Sequence, residues 1–87
     1  MTMDDIRALY IISVAAELAE VHPRTLRIYE VEGLINPYRT EGNIRLYSPR
    51  DVSKVKYIRY LTQEKGVNLA GVKMILELKR RLGEWID

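Results

Sequence analysis

The sequence predicts a mainly α fold, with helices around a small core and one short β hairpin between them, and three observations carry that expectation. The first is Thr25-Leu26-Arg27-Ile28-Tyr29-Glu30, a short basic stretch with its apolar residues at helical spacing. The second is Gly33, which stops that helix. The third is the segment from Leu34 to Tyr47, with Arg39 and Arg45 in its two arms and Gly42-Asn43 between them. A helix narrow enough for a nucleic-acid groove, set beside a basic hairpin, is the layout of a winged helix-turn-helix. The expected architecture is that fold with a small two-stranded β wing and two further helices, in one domain over residues 1–87.

Each element has a local reason. Tyr10-Ile11-Ile12 is an apolar lead-in to Ser13, read as the N-cap of a first helix. Val14, Ala15, Leu18 and Ala19 recur at helical spacing and carry it to about Glu20. Val21 and His22 make the turn, His22 at the N-cap and Pro23 at the first position of the second helix. That helix runs to about Glu32, with Leu26 and Tyr29 facing inward, and completes a helix-turn-helix over residues 10–32. In the wing, residues 33–47, Leu34-Ile35 and Arg45-Leu46-Tyr47 are the expected paired strands. Gly42-Asn43 supplies residues that tolerate positive φ at the tip.

Ser48-Pro49-Arg50-Asp51 is a helix start, with a serine cap, a proline at the first position and a carboxylate near the positive end. Val52, Val55, Ile58 and Leu61, with Tyr57 and Tyr60 beside them, form an amphipathic helix over residues 48–65, closed by Gly66. Asn68 caps a last helix over residues 68–82, followed by a short tail, residues 83–87. The apolar positions Leu69, Val72, Ile75, Leu76, Leu78, Leu82, Trp85 and Ile86 cover more than one face. So wide a stripe calls for a second neighbour, and Leu78, Leu82, Trp85 and Ile86 are the expected contact with a partner subunit, a homodimer. A core that simply wraps the helix is the alternative.

Composition narrows the function. Cysteine is absent, which removes disulfides, thiolate metal sites and cysteine nucleophiles. One histidine excludes a multi-histidine metal centre, and no cofactor is expected. There is no apolar run of about 18 residues and no signal sequence at the start, so no membrane contact is expected and the expected location is cytoplasmic, associated with the nucleoid. The net charge of +2 is uneven: residues 22–60 hold eight Lys/Arg and four Asp/Glu, a net of +4, and the rest hold six and eight, a net of −2. A basic middle between acidic ends suits a one-sided nucleic-acid surface. No nucleophile sits beside a base, and no glycine-rich phosphate loop is present, so the chain is not expected to be an enzyme.

Double-stranded DNA is the expected ligand. Arg24 and Thr25 are the residues expected at bases or phosphates in the major groove, and Arg27 at a phosphate or a guanine edge. Tyr29 offers its hydroxyl to the DNA backbone while its ring stays in the core, and Arg39, Asn43, Arg45 and Tyr47 form the hairpin cluster. His22 is expected to cap its helix or touch phosphate, and Lys65 to touch phosphate at a helix end. The structural alternative makes Arg24 and Arg27 solvated residues paired with Glu20, Glu30 or Glu32, and Asn43 a turn former alone.

These residues resemble the DNA-binding domain of the MerR family, whose core reads roughly T-L-R-Y-Y-E, G-L-L, P, R, then G-Y-R-Y-Y. The matching positions are Thr25, Leu26, Arg27, Tyr29, Glu30, Gly33, Leu34, Pro37, Arg39, Arg45 and Tyr47, continued by Ser48, Asp51 and Val52. Tyr10 to Leu18 with His22-Pro23, and Gly66 to Lys73, are most similar to the HspR-type heat-shock repressors of that family. The resemblance implies a transcriptional repressor of chaperone genes that binds an inverted repeat as a dimer, with the DnaK chaperone as co-repressor. The sequence departs from the pattern at Glu20, where the family often has glycine, at His22, where serine is common, and at Ile28 and Ile44, which replace aromatics. The stretch after Leu82 is far shorter than the family's long dimerisation helix, so the expected dimer contact moves to the last helix with Trp85 and Ile86. Two other readings remain open at this point: a protein-interaction module using the last helix, and an excisionase-like architectural DNA-binding protein.

Overall fold

A computed structural model describes residues 6–84. Trp85 and Ile86, expected at a partner contact, lie outside the described residues. The elements follow in the order β1 (Tyr10–Ile11), α1 (Ile12–Ala19), α2 (Pro23–Val31), β2 (Tyr38–Arg39), β3 (Arg45–Tyr47), α3 (Pro49–Arg59), a π-helical turn (Tyr60–Glu64) and α4 (Leu69–Arg81). The mainly α winged helix-turn-helix is therefore present, and its sheet has three strands in the order β1-β3-β2, all antiparallel.

Two local expectations, one helix cap and one strand, are corrected. Ser13 does not cap α1: the helix begins at Ile12, and its N-cap is Ile11, with no side-chain hydrogen bond. The preceding residues are extended because their backbone pairs with β3, Tyr10 opposite Tyr47 and Ile11 opposite Leu46. Leu34-Ile35 is not the second wing strand either. Both side chains are buried, and a strand with one solvated face cannot bury two consecutive residues. After Gly33, in the left-handed region at φ 76°, the Leu34 amide donates to Tyr29 O and the chain drops straight into the core. The strand that pairs with β3 comes later, with Tyr38 opposite Leu46 and Arg39 opposite Arg45.

The helix ends follow local chemistry closely. The His22 Nδ1 accepts from the Arg24 amide at 3.0 Å and so caps the helix. Ser48 and Asp51 make the reciprocal capping box at 3.0 and 2.9 Å. The Asn68 side chain accepts from the Gly71 amide at 2.8 Å. Glu20, standing where glycine would be easier, closes α1 at φ 59°, and the turn into α2 keeps that left-handed geometry at some steric cost.

The core lies where the four helices and the sheet meet, and Tyr47, Leu26, Ile58, Val55 and Val72 are its largest fully buried side chains. Ala15, Ala16 and Ala19 present only methyl groups from α1, which lets that helix approach its neighbours closely. α4 buries Val72 and Leu76 on one side and exposes Met74 and Leu78 on another, where they share a shallow apolar groove with Ala70, Lys73 and Arg81; Leu82, just past the helix, is exposed too.

Candidate nucleic-acid interface

Pro23 and the His22 cap fix where α2 starts, and Leu26 and Tyr29 fix which way it turns by packing inward. The opposite side is then open: Arg24, Arg27, Ile28 and Val31 are all exposed. Arg24, Arg27 and Glu30 follow one another at intervals of three, so they form one row along the helix surface. Glu30 ends that row and is the joint to the hairpin. Its Oε1 accepts from Arg45 Nε at 2.5 Å and its Oε2 from Arg39 Nη2 at 3.0 Å. Arg39 Nη1 also donates to the Asn43 side chain at 3.1 Å, tying the first arm to the tip, where Asn43 takes φ 62° as its turn role requires. Glu30 thus ties α2, on whose open side Arg24 and Arg27 lie, to both arginines of the hairpin.

The sequence presented Glu30 as a matching position of the MerR motif and as a counter-ion for Arg24 or Arg27, with no partner in the hairpin. The structure gives it to the hairpin instead, and among the described residues Arg24 and Arg27 have no ion pair. Glu30 was the positioning residue that sequence reasoning missed, and the available signal was an acid between two arginine clusters. Burial works against its charge, but the hydrogen bonds and charges of Arg45 and Arg39 outweigh it, so its pKa is lowered. The hydrogen bond to Glu30 holds Arg45 more firmly protonated in turn.

The remaining expected contacts divide. Thr25 is half-buried, and its amide donates to His22 O at 2.8 Å. Tyr29 is buried, its ring in the core as expected; burial raises its pKa, with Thr62 and Arg59 acting the other way, so the hydroxyl stays protonated. Lys65 is exposed and sits 5.7 Å from the Tyr60 ring centre, a contact separate from these arginines.

Tyr47 is a correction. It is 0% exposed, and its buried hydroxyl has no hydrogen-bond partner, so it is a core residue and not part of the outer face. Alternation alone would put Arg45 and Tyr47 on the same side of β3, but burial deepens along the strand: Tyr47, paired with Tyr10 of β1 at the end that meets α1, is covered, whereas Arg45 stays half-exposed. Tyr47→Phe is expected to leave DNA affinity unchanged and to raise stability by up to about 1–3 kcal/mol, since it removes a buried unpaired hydroxyl. Thermal unfolding and a gel shift on the variant check both halves.

Among the described residues no group of three His, Cys, Asp or Glu could hold a metal ion, and no helix is long and apolar enough to cross a membrane. An arginine-faced second helix locked to a basic hairpin defines a winged helix-turn-helix DNA-binding domain.

The comparisons with known proteins give the class its name. Residues 10–79 match the model of the MerR HTH family of regulatory proteins. The chain is 47% identical over 76 residues to a heat shock protein HspR of Streptomyces coelicolor, covering 87% of this chain and 50% of that one. It is 38% identical to the HTH-type transcriptional regulator GlnR of Bacillus anthracis, covering 87% of this chain and 58% of GlnR. Among solved structures, PbrR691 of Ralstonia metallidurans in complex with lead(II) superposes with a TM-score of 0.77 at 32% identity, covering 84% of this chain and 57% of that one. HiNmlR, a MerR family regulator lacking the sensor domain and bound to promoter DNA, gives 0.72 at 30%, covering 79% and 52%. The chain belongs to the MerR family of DNA-binding transcriptional regulators. It spans about half the length of the relatives it matches.

Proposed function

We propose that this chain is the operator-binding unit of a heat-shock repressor that acts as a homodimer on an inverted repeat upstream of chaperone genes, in the cytoplasm, with the DnaK chaperone as co-repressor. The observation that carries the DNA reading is Glu30, which ties α2, with Arg24 and Arg27 on its open side, to Arg39 and Arg45. The likeness to HspR supports the heat-shock assignment. In this reading α2 enters the major groove. Arg24 and Thr25 reach bases or phosphates there, and Arg27 reaches a phosphate or a guanine edge. His22 holds the start of α2, whose positive dipole end favours a phosphate nearby. Arg39, Asn43 and Arg45 lie along the flanking backbone, Lys65 reaches a more distant phosphate, and Tyr29 acts from the core as packing for α2. The dimer contact falls on the exposed apolar side of α4, with Leu78 and Leu82.

The test is a gel shift and footprint on DNA upstream of the chain's own gene. Arg27→Ala and Arg45→Ala are each expected to weaken binding about tenfold or more while the circular dichroism spectrum stays unchanged. Each should also lower the slope of log K against log salt by about one, the signature of a lost phosphate contact. Undiminished affinity in both variants would remove the reading. A protein-interaction role would instead leave DNA unshifted at low salt and make a pull-down depend on Leu78 and Leu82.

A further inference from the structure

The open face of α2 is not uniformly basic. Ile28 is 44% exposed and Val31 is 83% exposed, the largest exposure of any large apolar side chain among the described residues. With Arg24, Arg27 and Glu32 they line one shallow depression on the helix. Ile28 lies one turn beyond Arg24 and Val31 one turn beyond Arg27, so each guanidinium has an apolar neighbour on its own stripe. Apolar surface held in water beside two cations has a narrow range of natural partners. A polyanion with apolar groups in its groove matches both features, the cations for its phosphates and base edges and the apolar area for its groove. In duplex DNA the apolar group displayed in the major groove is the 5-methyl of thymine.

We propose that Ile28 and Val31 are specificity-determining residues that read thymine 5-methyl groups next to the bases contacted by Arg24 and Arg27. This inference rests on the DNA-binding reading above and adds which base the apolar half of the helix selects. Residues four apart on a helix are separated by about 6 Å along its axis, and base pairs along DNA by about 3.4 Å. The thymine should therefore fall within two base pairs of the base that the paired arginine contacts. Burying one methyl group supports a preference of about fourfold per thymine.

The experiment starts by enriching a pool of random-sequence duplexes on the wild-type chain. Each thymine of the enriched site is then replaced singly by deoxyuridine, which removes the methyl group and leaves every hydrogen bond in place. At least one substitution per half-site is expected to weaken binding about fourfold. That loss should vanish in Ile28→Ser or Val31→Ser, both exposed positions, while the salt slope and the circular dichroism spectrum stay as in the wild type. Deoxyuridine duplexes that bind like their thymine parents, or a methyl effect that persists in both variants, would overturn the inference and leave DNA binding intact. A pool from which no duplex is enriched would overturn the DNA-binding reading and this inference together.

Discussion

Replacing Glu30 with alanine is expected to tighten binding to random DNA at low salt and to lower discrimination between an operator and other duplexes by about tenfold. Both effects follow from one geometry. The Glu30 side chain is only 18% exposed and accepts from Arg39 and Arg45 at once. Removing the carboxylate takes a negative charge off the DNA-facing side and releases two guanidiniums, which strengthens the sequence-independent attraction. The same change unties the hairpin from α2, so base contacts and flanking phosphate contacts no longer arrive in fixed register. Global stability should fall only modestly, by about 1 kcal/mol or less, because both arginines remain partly in water. Equilibrium binding to a specific and a scrambled duplex checks the ratio. A parallel loss on both duplexes would show that Glu30 acts through folding and not through register.

The same pair of bonds has a pH signature. Burial opposes the Glu30 charge and the two arginines more than compensate, so its pKa lies below the ordinary carboxylate value in the folded protein. A depressed folded pKa means the stabilisation is complete above the unfolded pKa and is lost as pH falls through the lowered value. The difference in melting temperature between wild type and Glu30→Gln should therefore be constant through neutral pH and close on acidification. A difference that grew as pH fell would contradict the ion-pair account.

The second large effect concerns the other side of α2. Leu26 is 0% exposed and anchors the inner face of the helix whose outer face carries Arg24 and Arg27. Leu26→Ala should cost about 2–5 kcal/mol through lost burial and the cavity left behind. For a chain of this size that corresponds to a fall in melting temperature of roughly 10–30 °C. DNA affinity measured at low temperature should decline only as far as the folded fraction does. Arg27→Ala predicts the reverse pattern, with affinity lost and the melting temperature kept. The two variants together separate what positions the helix from what the helix presents.

Much of the helical framework was readable residue by residue. His22-Pro23, Ser48-Pro49 with Asp51, and Asn68 each announce a helix start, and each is found doing so in the structure. Asn43 was readable as the hairpin tip for the same reason, since positive φ is a property of one residue. The sheet was not readable in this way. A strand of two residues has too few positions to show an alternation, and Tyr10–Ile11 is extended only because β3 lies alongside. Ser13 and Leu34-Ile35 looked like a cap and a strand because local pattern was all that could be weighed there.

Sequence alone settled the caps, the stops, the basic middle and the likeness in motif to the MerR family, because each depends on residue type or on neighbours within about four positions. Helical spacing already put Ile28 and Val31 on the side of Arg24 and Arg27, whereas tertiary structure alone decided that Glu30 belongs to the hairpin and not to Arg24 or Arg27 and that Tyr47 is sealed in the core. The physical reason is distance along the chain. A cap closes within one helical turn, whereas the partner of a carboxylate and the side of a strand that faces water are chosen by segments that meet only when the core assembles.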